Sequence, residues 1–114
     1  MAARNLALAE QDWDAAVRAF DEAVILRREA IDYQTMRKVL ALAAEASERA
    51  GNIKGASQRY FRAGRSAALQ RDYYAAKTWL MRAEQLAGEA GENQIAHEAR
   101  LHLEQIRKAD PSIQ

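Results

Sequence analysis

The sequence predicts an all-α protein, and three observations carry that prediction. Alanine, the best helix former, occupies 26 of the 114 positions. Proline, the strongest helix breaker, occurs once, as Pro111 near the end of the chain. Residues with β-branched side chains are few and never alternate over a strand-length run. Because only short links separate the helical stretches, we expect successive helices to run antiparallel.

Composition narrows the kind of protein before any motif is considered. The length fits one domain, and a hydrophobic share of 49% with 29% charged residues excludes a chain disordered by charge. The absence of cysteine excludes a disulfide framework, thiolate catalysis and cysteine-ligated zinc. No apolar run reaches the ~18 residues of a membrane-spanning helix. None of these observations determines the compartment in which the protein works.

Residues that commonly start or end helices divide the chain into six predicted helices. Small polar residues and glycines mark the junctions: Asp12, Gly51, Asn52, Asp72, Gly88 and Gly91. Asp and Asn accept hydrogen bonds from the first turn of a helix, whereas glycine ends helices. The predicted helices cover residues 2–10, 13–28, 31–50, 53–70, 73–87 and 92–109.

A pattern of alternating large and small residues follows three of these junctions. In each copy a second large residue comes seven positions after the first, and small residues come three and ten positions after it. The copies are Trp13, Ala16, Phe20, Ala23; Ile53, Ala56, Tyr60, Ala63; and Tyr73, Ala76, Leu80, Ala83. At about 100° per residue, each set lies on one helix face, where a small residue lets a neighbouring helix approach closely. The copies are separated by 40 and 20 residues, so we predict helices spaced by about 20 residues.

This pattern resembles the second helix of the tetratricopeptide repeat (TPR) superfamily over about residues 5–85. Ala63 and Gly64 stand where that family has Leu-Gly in its first helix. The predicted helix 53–70 therefore carries both patterns, an overlap similar to the longer hairpins of the soluble NSF attachment protein type. The resemblance implies a right-handed α-alpha superhelix (solenoid) of about three antiparallel helical hairpins. It also implies a domain that binds other proteins and has no catalytic machinery.

We predict a single TPR-like domain over residues 1–110 and a C-terminal tail over residues 111–114. A full first helix of the repeat needs more residues than precede Trp13. We therefore expect the chain to be a fragment of a longer protein.

Catalytic and metal-binding patterns are weak throughout the sequence. His97 and His102 resemble a zinc-protease helix with one residue too many, because that motif needs two histidines four residues apart. Five residues of spacing turns them about 140° from each other. Gly51 to Gly55 lacks both the spacing of a phosphate loop and a preceding strand. We therefore predict no catalytic residue, no metal site and no cofactor.

The aromatic residues are predicted to serve packing rather than base stacking. Five of them fall on apolar helix faces: Trp13, Phe20, Tyr60, Tyr73 and Trp79. Aromatic residues at helical spacing commonly belong to a core. Tyr74 points away from the apolar side of its helix, and we expect it to be exposed.

Basic residues are concentrated in one part of the chain. Residues 49–82 contain 8 basic and 1 acidic side chains, whereas each flanking region has a net charge of −3. On the helix from Ile53, four basic side chains fall within about 140° of one another, opposite the small and aromatic residues: Lys54, Arg59, Arg62 and Arg65. This strip is either a solvated face or a surface that recognises carboxylates, which arginine binds in bidentate fashion.

The sequence predicts a non-catalytic adaptor or scaffold domain that docks a protein or acidic peptide partner through Lys54, Arg59, Arg62 and Arg65. The first alternative is a structural module that forms a homodimer through its open repeat edge. A lesser alternative is anion or nucleic-acid binding through residues 49–82. The sequence pI of about 8.1 lies below the ~9 expected of a basic nucleic-acid-binding domain.

Overall fold

Four α-helices make up the described part of the protein. The computed structural model describes residues 33–113 together with Ala15 and Arg18, both helical and exposed. The helices are α1 (Tyr33–Arg49), α2 (Ile53–Leu69), α3 (Tyr73–Ala90) and α4 (Asn93–Ala109). No strand occurs among these described residues, so the all-α prediction is confirmed for them. The predicted helix 2–10 and nearly all of 13–28, with Trp13 and Phe20, lie outside the described residues.

The three junctions between these helices repeat one geometry. A residue in the left-handed conformation ends each helix, with φ of 82° at Gly51, 62° at Arg71 and 73° at Gly91. The next residue donates its backbone N–H to a carbonyl five positions back: Asn52 to Ser47 at 2.8 Å, Asp72 to Ala67 at 2.9 Å and Glu92 to Ala87 at 2.8 Å. This is the long-range bond of a Schellman-type helix end. Because the junctions recur every 20 residues, the predicted helix spacing is confirmed.

Side chains cap two of the helices that start at these junctions. Asn52 Oδ1 accepts a hydrogen bond from the Gly55 N–H at 2.9 Å, at the start of α2. Asp72 Oδ1 accepts one from the Ala75 N–H at 3.4 Å, at the start of α3. Both are the caps that the sequence predicts.

One predicted junction residue lies elsewhere. Gly88 was expected to mark a helix end, but it lies inside α3, which continues to Ala90 and ends at Gly91. A helix tolerates glycine at a modest loss of stability. Only Gly91 adopts the left-handed conformation that makes glycine favourable at a helix end.

Alternate helices run in the same direction, so consecutive helices are antiparallel. The Arg37 guanidinium near the start of α1 contacts Asp72 at the start of α3, with 2.9 Å between Nη1 and Oδ2. Lys54 at the start of α2 likewise contacts Glu92 at the start of α4, with 3.4 Å between Nζ and Oε1. Each helix packs most extensively against its neighbours in sequence, and α2 also contacts α4.

The small residues of the repeated pattern form the tightest part of the core. The side chains predicted to face a neighbouring helix in α2 and α3 are buried: Ala56, Tyr60, Ala63, Ala76, Leu80 and Ala83. A Cβ added to Gly64 would lie 2.7 Å from Leu80 Cγ and 3.1 Å from the Leu80 backbone nitrogen. The backbones of α2 and α3 therefore approach closely at Gly64. Trp79 packs against both hydrophobic clusters, one shared by all four helices and one joining α1 to α2.

Candidate functional site

An open groove crosses the helices and is the strongest candidate site in the described part of the chain. Its volume is about 890 Å³. The lining residues come from all four helices: Glu45, Tyr60, Thr78, Trp79, Met81, Arg82, Glu84, Gln85, Gly88, Ala96 and Arg100. Most of them belong to α3. The groove therefore lies along α3, with α1 at one side and α4 at the other.

A three-residue network fixes one wall of the groove. Arg82 donates from Nε to Glu48 Oε1 at 3.2 Å, and its Nη2 bonds the second oxygen of the same carboxylate. The phenol of Tyr60 hydrogen-bonds to this carboxylate too. The pair joins α1 to α3 over 34 residues of sequence. Such a bidentate contact has a defined geometry, so it holds the guanidinium in one orientation.

The same network shifts the pKa values of its three residues. The hydrogen bond from Arg82 holds the pKa of Glu48 below its ordinary value of 4.5, although burial opposes that shift. Burial, together with the hydrogen bond to Glu48, raises the pKa of Tyr60 to about 12. Glu48 raises the pKa of Arg82 as well. At neutral pH the wall therefore carries a paired carboxylate and guanidinium beside a neutral phenol.

Charged side chains lie at both sides of the groove, and its middle is apolar. Glu45 of α1 is an exposed carboxylate at one side. Arg100 of α4 lies at the other side, where its Nε is 3.2 Å from Glu84 Oε1. Between them Trp79 is half-buried and Met81 is 53% exposed. An apolar middle between charged edges is suited to holding a peptide segment.

The four basic residues predicted as partner contacts do not line this groove. The Arg59 guanidinium donates from Nη1 to Ser47 Oγ of α1 at 2.7 Å, which ties α2 to α1. Lys54 is exposed and paired with Glu92. Arg62 is half-buried. Arg65 is exposed and lies over the Phe61 ring, 5.7 Å from its centre, beside α4. The structure therefore separates Arg59 from Arg65, and their role in partner binding stays a prediction.

Phe61 lies at one edge of the predicted basic strip. By helical angle it lies about 20° from Lys54, on the side away from Arg59, and it is buried against α4. The sequence pattern predicts one packed face for α2, but α4 also covers part of the opposite face. The groove was missed for a related reason. Its charged pairs, such as Glu48 with Arg82, join residues that are far apart in sequence.

The other predicted residues are placed as follows. Tyr60 is buried, and Tyr73 and Trp79 are half-buried against the core, which confirms their packing role. Tyr74 is 79% exposed, as predicted. His97 is exposed, whereas the His102 ring contacts Phe61 edge-on at 5.5 Å between centroids.

Residues 33–113 contain no group of three or more side chains suited to holding a metal ion. None of the helices described in them is both long and apolar enough to cross a bilayer.

Comparisons of the chain with protein-family models, curated proteins and solved structures give no significant match.

Proposed function

We propose that this chain is a non-catalytic, TPR-like docking domain that binds a peptide segment of a partner protein in the groove. Its hairpins form a right-handed superhelix, and the domain serves as an adaptor or scaffold. The observation that carries the proposal is the preformed groove of about 890 Å³, which spans helices α1 to α4. That volume is within the ~300–1,000 Å³ typical of ligand-binding clefts.

The groove is organised before a partner arrives. Glu48 holds the Arg82 guanidinium in a bidentate contact, and Glu84 holds Arg100. Side chains that are already ordered lose little conformational entropy on binding, so more of the contact energy appears as affinity. The three groups with displaced pKa values, Glu48, Tyr60 and Arg82, are bonded to one another. This mutual pairing favours a structural role for them over acid–base catalysis.

The chemistry of the groove indicates the kind of segment it binds. Apolar side chains of the partner would contact Trp79 and Met81, and methionine adapts its shape to different apolar surfaces. A basic residue would lie near Glu45 and an acidic residue near Arg100. The partner segment is therefore expected to carry opposite charges on either side of an apolar centre.

The predicted basic residues assist binding from outside the groove in this proposal. Lys54, Arg62 and Arg65 carry positive charge on α2 outside the groove, and they would favour the approach of an acidic partner by long-range attraction. Arg59 is less suited to that role because its guanidinium already bonds Ser47 of α1. Salt is expected to slow association without abolishing it.

Selection from a displayed random-peptide library tests the proposal. Peptides enriched on the wild-type protein would be measured against Thr78→Arg and Met81→Arg, which place a long cation in the groove at exposed positions. We expect at least tenfold weaker binding to both variants. Tyr74→Arg is the matched control, because it adds the same side chain on α3 outside the groove.

The control should bind within about twofold of the wild type, and circular dichroism should show equal helicity for all three variants. Equal binding of the selected peptides by all three variants would refute the groove as the docking site. Enrichment of no peptide at all would contradict the docking function.

A further inference from the structure

We propose that the docking groove continues into a second cavity between α3 and α4, and that Ile113 of the chain itself occupies this extension until an aliphatic side chain of the partner replaces it. This inference rests on the proposed docking function and adds a form of regulation to the same site. The volume of the cavity is about 580 Å³. Its lining residues are Lys77, Met81, Glu84, Leu103, Ile106, Arg107 and Ile113.

The cavity adjoins the groove along the boundary between α3 and α4. Met81 and Glu84 line both spaces. On α4 the groove is lined by Ala96 and Arg100, and the cavity is lined by residues of the next two turns, as far as Arg107. At 1.5 Å per helical residue this distance along α4 is about 16 Å, which an extended segment of about five residues spans. A partner segment in the groove can therefore continue into the cavity.

The sequence after α4 turns the chain back onto the helices. Proline cannot continue a helix, and aspartate followed by proline favours a β-turn. In the structure the Ile113 N–H donates to the Asp110 carbonyl at 3.1 Å, which closes a turn over residues 110–113. Asp110 Oδ1 also accepts hydrogen bonds from the Ser112 N–H at 3.2 Å and from the Ser112 hydroxyl. This C-terminal turn places Ile113 at the cavity.

Ile113 covers the apolar floor that a partner side chain would need. It is half-buried and packs against the hydrophobic cluster that contains Leu103 and Ile106. With Ile113 in place, Leu103 is 9% exposed and Ile106 is 3% exposed. So little of this floor is left uncovered that a second aliphatic side chain reaches it only by replacing Ile113.

The contact of Ile113 is weak enough to be displaced. The two residues before it, Pro111 and Ser112, are exposed. The hydrogen bonds that close the turn join residues within it, so they do not oppose the departure of the Ile113 side chain. A half-buried isoleucine contributes about half as much as a fully buried one, which corresponds to about three- to tenfold in a binding constant. The C-terminal turn is therefore expected to weaken partner binding without preventing it.

Peptide affinity measured with and without the Ile113 side chain tests this inference. A displayed random-peptide library is selected on the full chain carrying Ile113→Ala, and the enriched peptides are titrated by fluorescence anisotropy against the variant and the wild type. We expect the variant to bind them about three- to tenfold more tightly. Leu101→Ala is the matched control, because Leu101 is an aliphatic residue of α4, 44% exposed, that lines neither space. It should bind within about twofold of the wild type.

Methyl NMR of the wild-type chain follows the displacement directly. In the free protein we expect nuclear Overhauser effects between the methyl groups of Ile113 and those of Leu103 and Ile106. Saturation with an enriched peptide should abolish them. Their persistence in the saturated complex would overturn the inference. Equal affinity of Ile113→Ala and the wild type would overturn it too, as would an equal gain in Leu101→Ala.

Thr78→Arg distinguishes failure of this inference from failure of the docking function. Thr78 lines the groove but not the cavity. If Thr78→Arg abolishes binding while Ile113→Ala equals the wild type, the docking groove stands and only the competition by Ile113 is refuted. Enrichment of no peptide on either the wild type or Ile113→Ala would overturn both.

Discussion

Replacing Gly64 with alanine measures how closely α2 and α3 pack. The added Cβ would meet Leu80 at 2.7 Å from Cγ, 2.9 Å from Cδ2 and 3.1 Å from the backbone nitrogen. Leu80 is fully buried, so its side chain has no open space into which it can move. Overpacking of this kind typically costs about 1–3 kcal/mol. The higher helix propensity of alanine offsets about 0.5–1 kcal/mol, which leaves a net destabilisation of about 0.5–2 kcal/mol.

Gly88→Ala is the matched control for this substitution. Gly88 also lies inside a helix, but a Cβ built there meets nothing within 4 Å. Only the propensity term remains, so we expect this variant to be more stable than the wild type by about 0.5–1 kcal/mol. The same chemical change should therefore have opposite signs at the two glycines.

Urea unfolding followed by circular dichroism gives both free energies of unfolding. The difference between the variants should be about 1–3 kcal/mol, or roughly 4–12 °C in Tm for a domain of this size. Unchanged slopes with urea would show that neither substitution alters the surface exposed on unfolding. If Gly64→Ala were as stable as Gly88→Ala, the close approach of α2 and α3 at Leu80 would be refuted.

Three further predictions concern the caps, the network and a junction. Asp72→Ala removes a helix cap and leaves the buried Arg37 without its carboxylate, so the free energy of unfolding in urea should fall by about 2–3 kcal/mol. Asn52→Ala removes only a cap and should lower it by about 1 kcal/mol. Equal losses in the two variants would show that the ion pair does not contribute to stability. The pKa of Tyr60 is raised to about 12, so its contribution to stability is intact below pH 10 and is lost between pH 10 and 12. The stability advantage of the wild type over Tyr60→Phe should therefore fall by about 2 kcal/mol across that range, and a constant difference would contradict the burial of the phenol. Gly91→Ala forces alanine to a φ of 73° and should lower Tm by an amount equivalent to about 1 kcal/mol, which a thermal melt would detect.

Local sequence signals predicted most helix boundaries of the described residues, because the residues that end one helix and start the next lie within a few positions of one another. Asn52 and Asp72 cap the helices that the sequence starts there, and Gly51 and Gly91 adopt the left-handed conformation. Arg71 occupies the same conformation without being glycine, so this junction was recognised only through the Asp that follows it. Gly88 was predicted to lie at a helix end but lies inside α3, because the presence of a glycine alone does not distinguish a position inside a helix from one at its end.

The candidate site was much less accessible to sequence reasoning. The groove depends on Glu48 and Arg82 meeting across 34 residues, and no periodic pattern records that contact. Helical angles identified the basic residues of α2 but not their neighbours. Only the packing of α4 on Phe61 reveals that Arg65 lies beside α4 while Arg59 faces α1.

The recurrence of one junction geometry every 20 residues has a consequence for how the domain opens. Each helix depends mainly on its immediate neighbours, so local unfolding of one helix is expected to loosen mainly the helices beside it. A peptide in the groove would touch Glu45 of α1 and Arg100 of α4 together. Binding would then make the local opening of α4 conditional on release of the peptide. Amide hydrogens along the whole of α4 should exchange more slowly in the complex, including those far from the contact.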